Sequence, residues 1–188
     1  MVPVVLIGVV AGFAPASRAE RVVLQGAEVT KDTRVRTNFE ADENVGQRSS
    51  FQVRERHQST AEAGLLWFDL SEHRGKAAED VRLELYYAGH LGGESTRRIG
   101  VRPLKHHWVE GDGKEQGATG IHRDAPGGEQ EWAGGSIRAG YGDENPGAVM
   151  ETANFGPRLA ETIAGGQTHR WLIWQSEDLD AFVNDVLA

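Results

Sequence analysis

His106, His107, Glu110, Asp112, His122 and Asp124 form the densest set of side chains in this sequence that could ligate a metal or move a proton. Zinc asks for about four N, S or O ligands in a tetrahedron. His106 and His107 are adjacent, so in an extended strand they point to opposite faces and do not readily share one ion. The HExxH spacing of a metalloprotease helix is absent. Solvated loop residues are the better reading of the set. A structural calcium suits the chain better, because hard cations take roughly six to eight oxygens, which Gly-, Asp- and Glu-rich loops supply. Asp112, Asp143, Glu144 and Asn145 are its candidate ligands, with a solvated acidic surface as the alternative. No other cofactor is expected.

Covalent and phosphate chemistry find no footing. The chain has no cysteine, no GxSxG elbow and no GxxxxGK[ST] or GxGxxG cradle. A pair of carboxylates for glycoside hydrolysis can always be drawn from 28 acidic residues, so that signal is nearly empty. A hydrolase or lyase built on the His-rich turn therefore ranks last among the functions considered.

Five tryptophans are the remaining handle. An indole can stack on the apolar face of a sugar ring while polar neighbours bond its hydroxyls. Trp67, Trp171 and Trp174 lie in apolar strands and read as core, and Trp108 reads as structural packing in a turn. Trp132 stands in a glycine-rich excursion beside Glu131, with Arg138 and Tyr141 following. These three, Trp132, Arg138 and Tyr141, are the expected ligand contacts. The competing reading of Trp132 is a loop anchor.

The elements that would hold such a site are strands. Residues 80–88 (DVRLELYYA) alternate, with Val81, Leu83, Leu85 and Tyr87 on the buried side and Arg82, Glu84 and Tyr86 on the wet side. Residues 63–70 (AGLLWFDL) are nearly all apolar, as suits a central strand. Shorter strands are expected at 22–24, 33–36, 50–54, 97–104 and 169–174, with Phe51 and Val53 facing inward in the third. Residues 111–147 hold 11 glycines in 37 residues and form a long excursion between strands. Residues 176–188 predict a helix: Ser176 caps it, and Leu179, Phe182, Val183, Val186 and Leu187 make one apolar face.

The N-terminal run from Val2 to Ala14 is uncharged and too short to span a bilayer, which needs about 20 apolar residues. It has the length of a signal-peptide core, and Ser17-Arg18-Ala19 supplies a small-residue cleavage site. Residues 1–19 are accordingly expected to be a signal peptide and 20–188 the mature module, secreted or held at the cell surface or in the periplasm. A buried N-terminal strand or helix is the alternative. Loss of Arg18 deepens the net charge of −8 to −9. Such a balance disfavours nucleic acid and anionic lipid as partners. Twenty-four glycines and a mean hydropathy of −0.47 fit an all-β chain with many turns.

The motifs in order resemble the secreted DNRLRE-type β-sandwich domain, related to alginate-binding carbohydrate-binding modules. Asp32-Thr33-Arg34-Val35-Arg36 is similar to its opening strand, and Asn44-Val45-Gly46 to the turn before the next, here Phe51-Gln52-Val53. Residues 65–71 (LLWFDLS) are similar to its signature strand and Val81 to Tyr86 to the one after. Trp108-Val109-Glu110-Gly111 resembles its Trp-x-Glu turn. Gly117-Ala118-Thr119 and Trp132 with Gly134-Gly135 resemble the region that follows. Two departures stand out: Ala61 to Ala63 occupy the place of an Arg common in the family, and the family's closing strands beyond the helix are missing.

The resemblance implies an antiparallel, jelly-roll-like sandwich with a short C-terminal helix, on an exported and non-catalytic protein that holds a polysaccharide at the cell surface or in the matrix. A structural or adhesive spacer without a small ligand is the alternative. The missing strands imply a module truncated at its C-terminus, or one that takes a strand from another chain or a neighbouring domain.

Overall fold

The computed structural model describes residues 4–11, 20–36, 44, 46, 50, 52–56, 60–89, 96–113, 116–124, 130–133, 154–166 and 168–188. The described residues are mostly strands in antiparallel sheets with a single C-terminal helix, an all-β architecture of the sandwich type. The strands are β1 (Val4–Ala11), β2 (Glu20–Leu24), β3 (Thr30–Arg36), β4 (Arg54–Arg56), β5 (Thr60–Phe68), β6 (Glu79–Tyr87), β7 (Arg97–Val101), β8 (His122–Asp124), β9 (Gln130–Glu131), β10 (Ala160–Ala164) and β11 (Arg170–Trp174). The helix α1 runs Glu177–Leu187. No described helix is long and apolar enough to cross a membrane.

The chain divides into two compact units. The first comprises Met1–Thr30, Phe68–Arg102 and Arg158–Ala188. Its four-stranded sheet has the order β11-β6-β1-β2, and β10 pairs with β7 in a second ladder. The alternation expected of β6 holds: Val81 and Leu83 are buried while Arg82 is exposed. On that buried side Ala78 and Val81 pack with Leu179, Val183 and Leu187 of α1, joined by Val22, Phe68, Leu70, Leu159 and Phe182.

An 11-residue helix is marginal alone in water, so this cluster is what keeps α1 folded. Each fully buried Leu or Val contributes about 1.5–3 kcal/mol. The helix also completes the backbone of the strand beneath it. Asp180 accepts the Val81 amide (2.7 Å), and Asn184 both accepts from the Ala78 N–H (2.8 Å) and donates to the Ala78 carbonyl (2.9 Å). Ser176 Oγ caps the helix by accepting from the Leu179 N–H at 3.0 Å. Ser176→Ala is expected to lower stability by about 1 kcal/mol, measured as a shift in the urea midpoint at unchanged m-value. An unchanged midpoint would show that the cap contributes nothing.

The second unit comprises Lys31–Trp67 and Pro103–Pro157. Its sheet has the order β3-β5-β4, β8 pairs with β9, and Leu104 bridges Phe155. The core holds Val35, Leu65, Trp108, Ala118 and Trp132, with Ala63, Trp67, Leu104 and Phe155 against it. Asn44 organises the loops around this core. Its Nδ2 donates to the carbonyls of Glu110 (3.1 Å) and Ala118 (2.8 Å), and its Oδ1 accepts from the N–H groups of Gly46 (3.1 Å) and Gly113 (2.9 Å). Gly111 (φ +83°) and Gly117 (φ +107°) let the two limbs of the 110–118 loop touch, since a Cβ on Gly111 would overlap the Gln116 carbonyl.

Val4–Ala11, inside the run expected to be a signal peptide, forms a strand between β2 and β6. Other expectations change. Val53 is half exposed rather than inward, because the strand begins only at Arg54; Phe51 lies outside the described residues. The excursion at 111–147 contains the β8–β9 ladder, and β10 follows it in a stretch without a clear pattern. Their two to five residues are too short to show a period of two.

Candidate functional site

Edge strand β11 gives the first unit its exposed aromatic face. Its residues alternate strictly: Leu172 and Trp174 are buried, while Trp171 (42% exposed) and Ile173 point outward. The register with β6 sets Trp171 opposite Tyr86 and Ile173 opposite Glu84, the wet side of β6. The Trp171 and Tyr86 rings meet edge to face, centroids 5.4 Å apart at 69°. His169 also adjoins Tyr86, with centroids 6.3 Å apart and its Nδ1 3.4 Å from the phenol oxygen.

This face is held from beneath and from the side. Trp174 is 2% exposed, and its indole N–H donates to the Ile99 carbonyl at 2.7 Å. Arg170 donates to the carbonyls of Ile163 (2.9 Å) and Gly165 (3.3 Å), tying the start of β11 to the end of β10. The chain enters β11 through His169 in the left-handed region (φ +57°), where non-glycine residues are uncommon. An indole held on a fixed strand loses little freedom when a ligand stacks on it. Such a face can bind a ring with an apolar side.

Residues singled out by sequence fall elsewhere. Trp132 is 1% exposed, and its indole N–H donates to the Thr119 carbonyl at 2.8 Å. It is a loop anchor in the second core, and a face so buried cannot receive a sugar; the ligand-platform expectation is corrected there. Arg138 and Tyr141 lie outside the described residues, as do Asp143, Glu144 and Asn145. Asp112 is exposed, with its Oδ1 accepting from the Gln116 N–H (3.1 Å). Among the described residues no three His, Asp or Glu side chains converge as a metal site. The dense set at 106–124 is thus spread along the loop and β8: His107 is exposed while Glu110 accepts from the Asp32 N–H at 3.2 Å.

The aromatic face was missed because HRWLIW reads as one apolar run. Two of its side chains point out, and two tryptophans three positions apart lie on opposite sides of a strand. Position 171 against 174 carried that signal.

Three charged side chains of the second unit pair in its interior. Glu62 is fully buried and takes Arg34 Nη1 at 3.2 Å and Arg36 Nε at 3.5 Å. Removing one member of such a group leaves a buried charge uncompensated, typically at about 3–5 kcal/mol.

Asp32 is held up at about 6, first by burial and then by the neighbouring Glu110 carboxylate. Its folded value lies above the unfolded one, so its contribution to stability is full below about pH 4 and is lost as pH rises through about 6. Asp32→Asn is expected to stabilise the protein above pH 7 by about 1 kcal/mol, after allowance for solvent screening. It should also remove the wild type's gain in stability between pH 7 and 4. Thermal melts of both proteins across that range check it, and parallel pH curves would contradict it.

Residues 24–112 match the model of carbohydrate-binding module family 96. The match spans just under half of the chain and supports a carbohydrate-binding module, a type that is generally non-catalytic. It includes Tyr86 and ends before Trp171. No curated protein and no solved structure gave a match.

Proposed function

We propose that this chain is an exported, non-catalytic module that binds a polysaccharide at the cell surface or in the extracellular matrix, through the face made by Trp171, Tyr86 and His169. The observation that carries the reading is Trp171: a large aromatic surface kept in solvent on a strand whose neighbours fix it. Exposed aromatics of this kind have an energetic reason to be covered by a ligand. The carbohydrate-binding family match supports the class of ligand. The mature chain's net charge of −9 (−8 before Arg18 is removed) favours a neutral glycan over a polyuronate such as alginate, a bias screened by salt beyond about 10 Å at 0.1 M.

Affinity electrophoresis in gels containing neutral and acidic polysaccharides tests this. Retardation by a neutral glycan is expected. Absence of retardation in every gel would sink the reading. Export is tested by mass spectrometry of the mature N-terminus, expected at Glu20; an intact Met1 in the cytosol would contradict it.

A second reading is a structural or adhesive spacer that contacts another protein. Ile163 and Ile173, both about half exposed, favour it. Failure of all glycans, with retention of a surface-protein neighbour that Ile163→Asp weakens, would select it.

A further inference from the structure

The position of β1 carries an inference that is independent of the glycan reading. Strand β1 pairs antiparallel with β2 on one side and with β6 on the other, and in the order β11-β6-β1-β2 backbone hydrogen bonding connects those two strands only through it. The β2 ladder is unbroken through five pairs, from Ile7 opposite Leu24 to Ala11 opposite Glu20. The β6 ladder is irregular in two places, between Val4 and Ile7 and between Gly8 and Val10. The strand itself (VVLIGVVA) carries no polar side chain, so main-chain hydrogen bonds are its only polar attachment.

We propose that the space between β2 and β6 is a strand-acceptor site, filled in the full-length chain by Val4–Ala11 and open to an uncharged, extended, apolar strand supplied from outside residues 20–188. Two unpaired edges facing one gap bind such a strand by β-augmentation, where backbone groups give affinity and alternate side chains give fit. Every other described strand already pairs within a ladder of its own, so the chain's described strands hold no spare to fill the gap. Cleavage after Ala19, the expected signal site, would cut the link between β1 and β2 and make the site available to that partner.

The test uses the full chain with a specific protease site in place of residues 13–18. The chain is cut after folding, unfolded in urea, and refolded with excess fluorescent, lysine-tailed peptide of residues 2–12. About one label per chain is expected on gel filtration. A Val9→Pro peptide, lacking a ladder donor, should compete at least roughly tenfold more weakly. Three results would overturn the proposal. One is a cut chain that regains the intact far-UV spectrum and thermal midpoint with neither fragment nor peptide bound. Another is dimers of cut chains that exclude the label. The third is precipitation that the peptide does not reduce.

Discussion

Trp171→Ala should abolish detectable polysaccharide binding while leaving the thermal midpoint within a few degrees of the parent. The side chain is 42% exposed and its main ring contact is the edge of Tyr86, so truncation opens no cavity in the core. What it removes is the platform. Stacking aromatics in well-placed binding faces cost more than about 2 kcal/mol when truncated, over tenfold in affinity. Tyr86→Ala should weaken binding less, since Tyr86 is the more covered ring, and Trp171→Phe should recover part of it. Affinity electrophoresis and a thermal melt on the same preparations separate the two effects. Full binding by Trp171→Ala would move the sugar site elsewhere.

The mirror image is expected of Trp132→Ala. Here about 3–5 kcal/mol of stability should be lost, because the indole fills the second core against Val35, Leu65, Trp108 and Ala118 and its N–H satisfies the Thr119 carbonyl. Trp132→Phe should lose less, keeping most of the volume but not the hydrogen bond. Urea unfolding followed by tryptophan fluorescence reads both. If the alanine variant unfolded at the parent midpoint, the indole would not be the anchor its burial implies.

These two tryptophans show where the sequence was legible. Side chains in long elements declared themselves. The alternation of Val81, Arg82 and Leu83, the apolar run at β5 and the capped helix at 177–187 stand where the sequence put them. The exceptions are Leu85, which is only part-buried, and Val186, expected on the apolar face but 48% exposed at the edge of it. A strand of five residues with four apolar side chains does not reveal its faces, so Trp171 read as core. A tryptophan among glycines has no period at all, so its neighbourhood did not separate a ligand contact from the loop anchor that tertiary packing makes of Trp132. The ladders β8–β9 and β7–β10 are joined by pairing between residues distant in sequence, or by runs too short to alternate. The carbohydrate-binding reading was carried by ordered motifs, and residues 24–112 support that coarse class.

The full saturation of Asn44 also has a bearing on how the protein ages. Hydrolysis of its amide to a carboxylate would remove the two N–H donors and set negative oxygens against the Glu110 and Ala118 carbonyls. Such a lesion could not be silent: one changed atom would turn two attractions into repulsions at the centre of four loop contacts. A chain so changed would lose the link between Asn44 and the two limbs of the 110–118 loop, which makes this one buried amide the point on which the loop's closure depends.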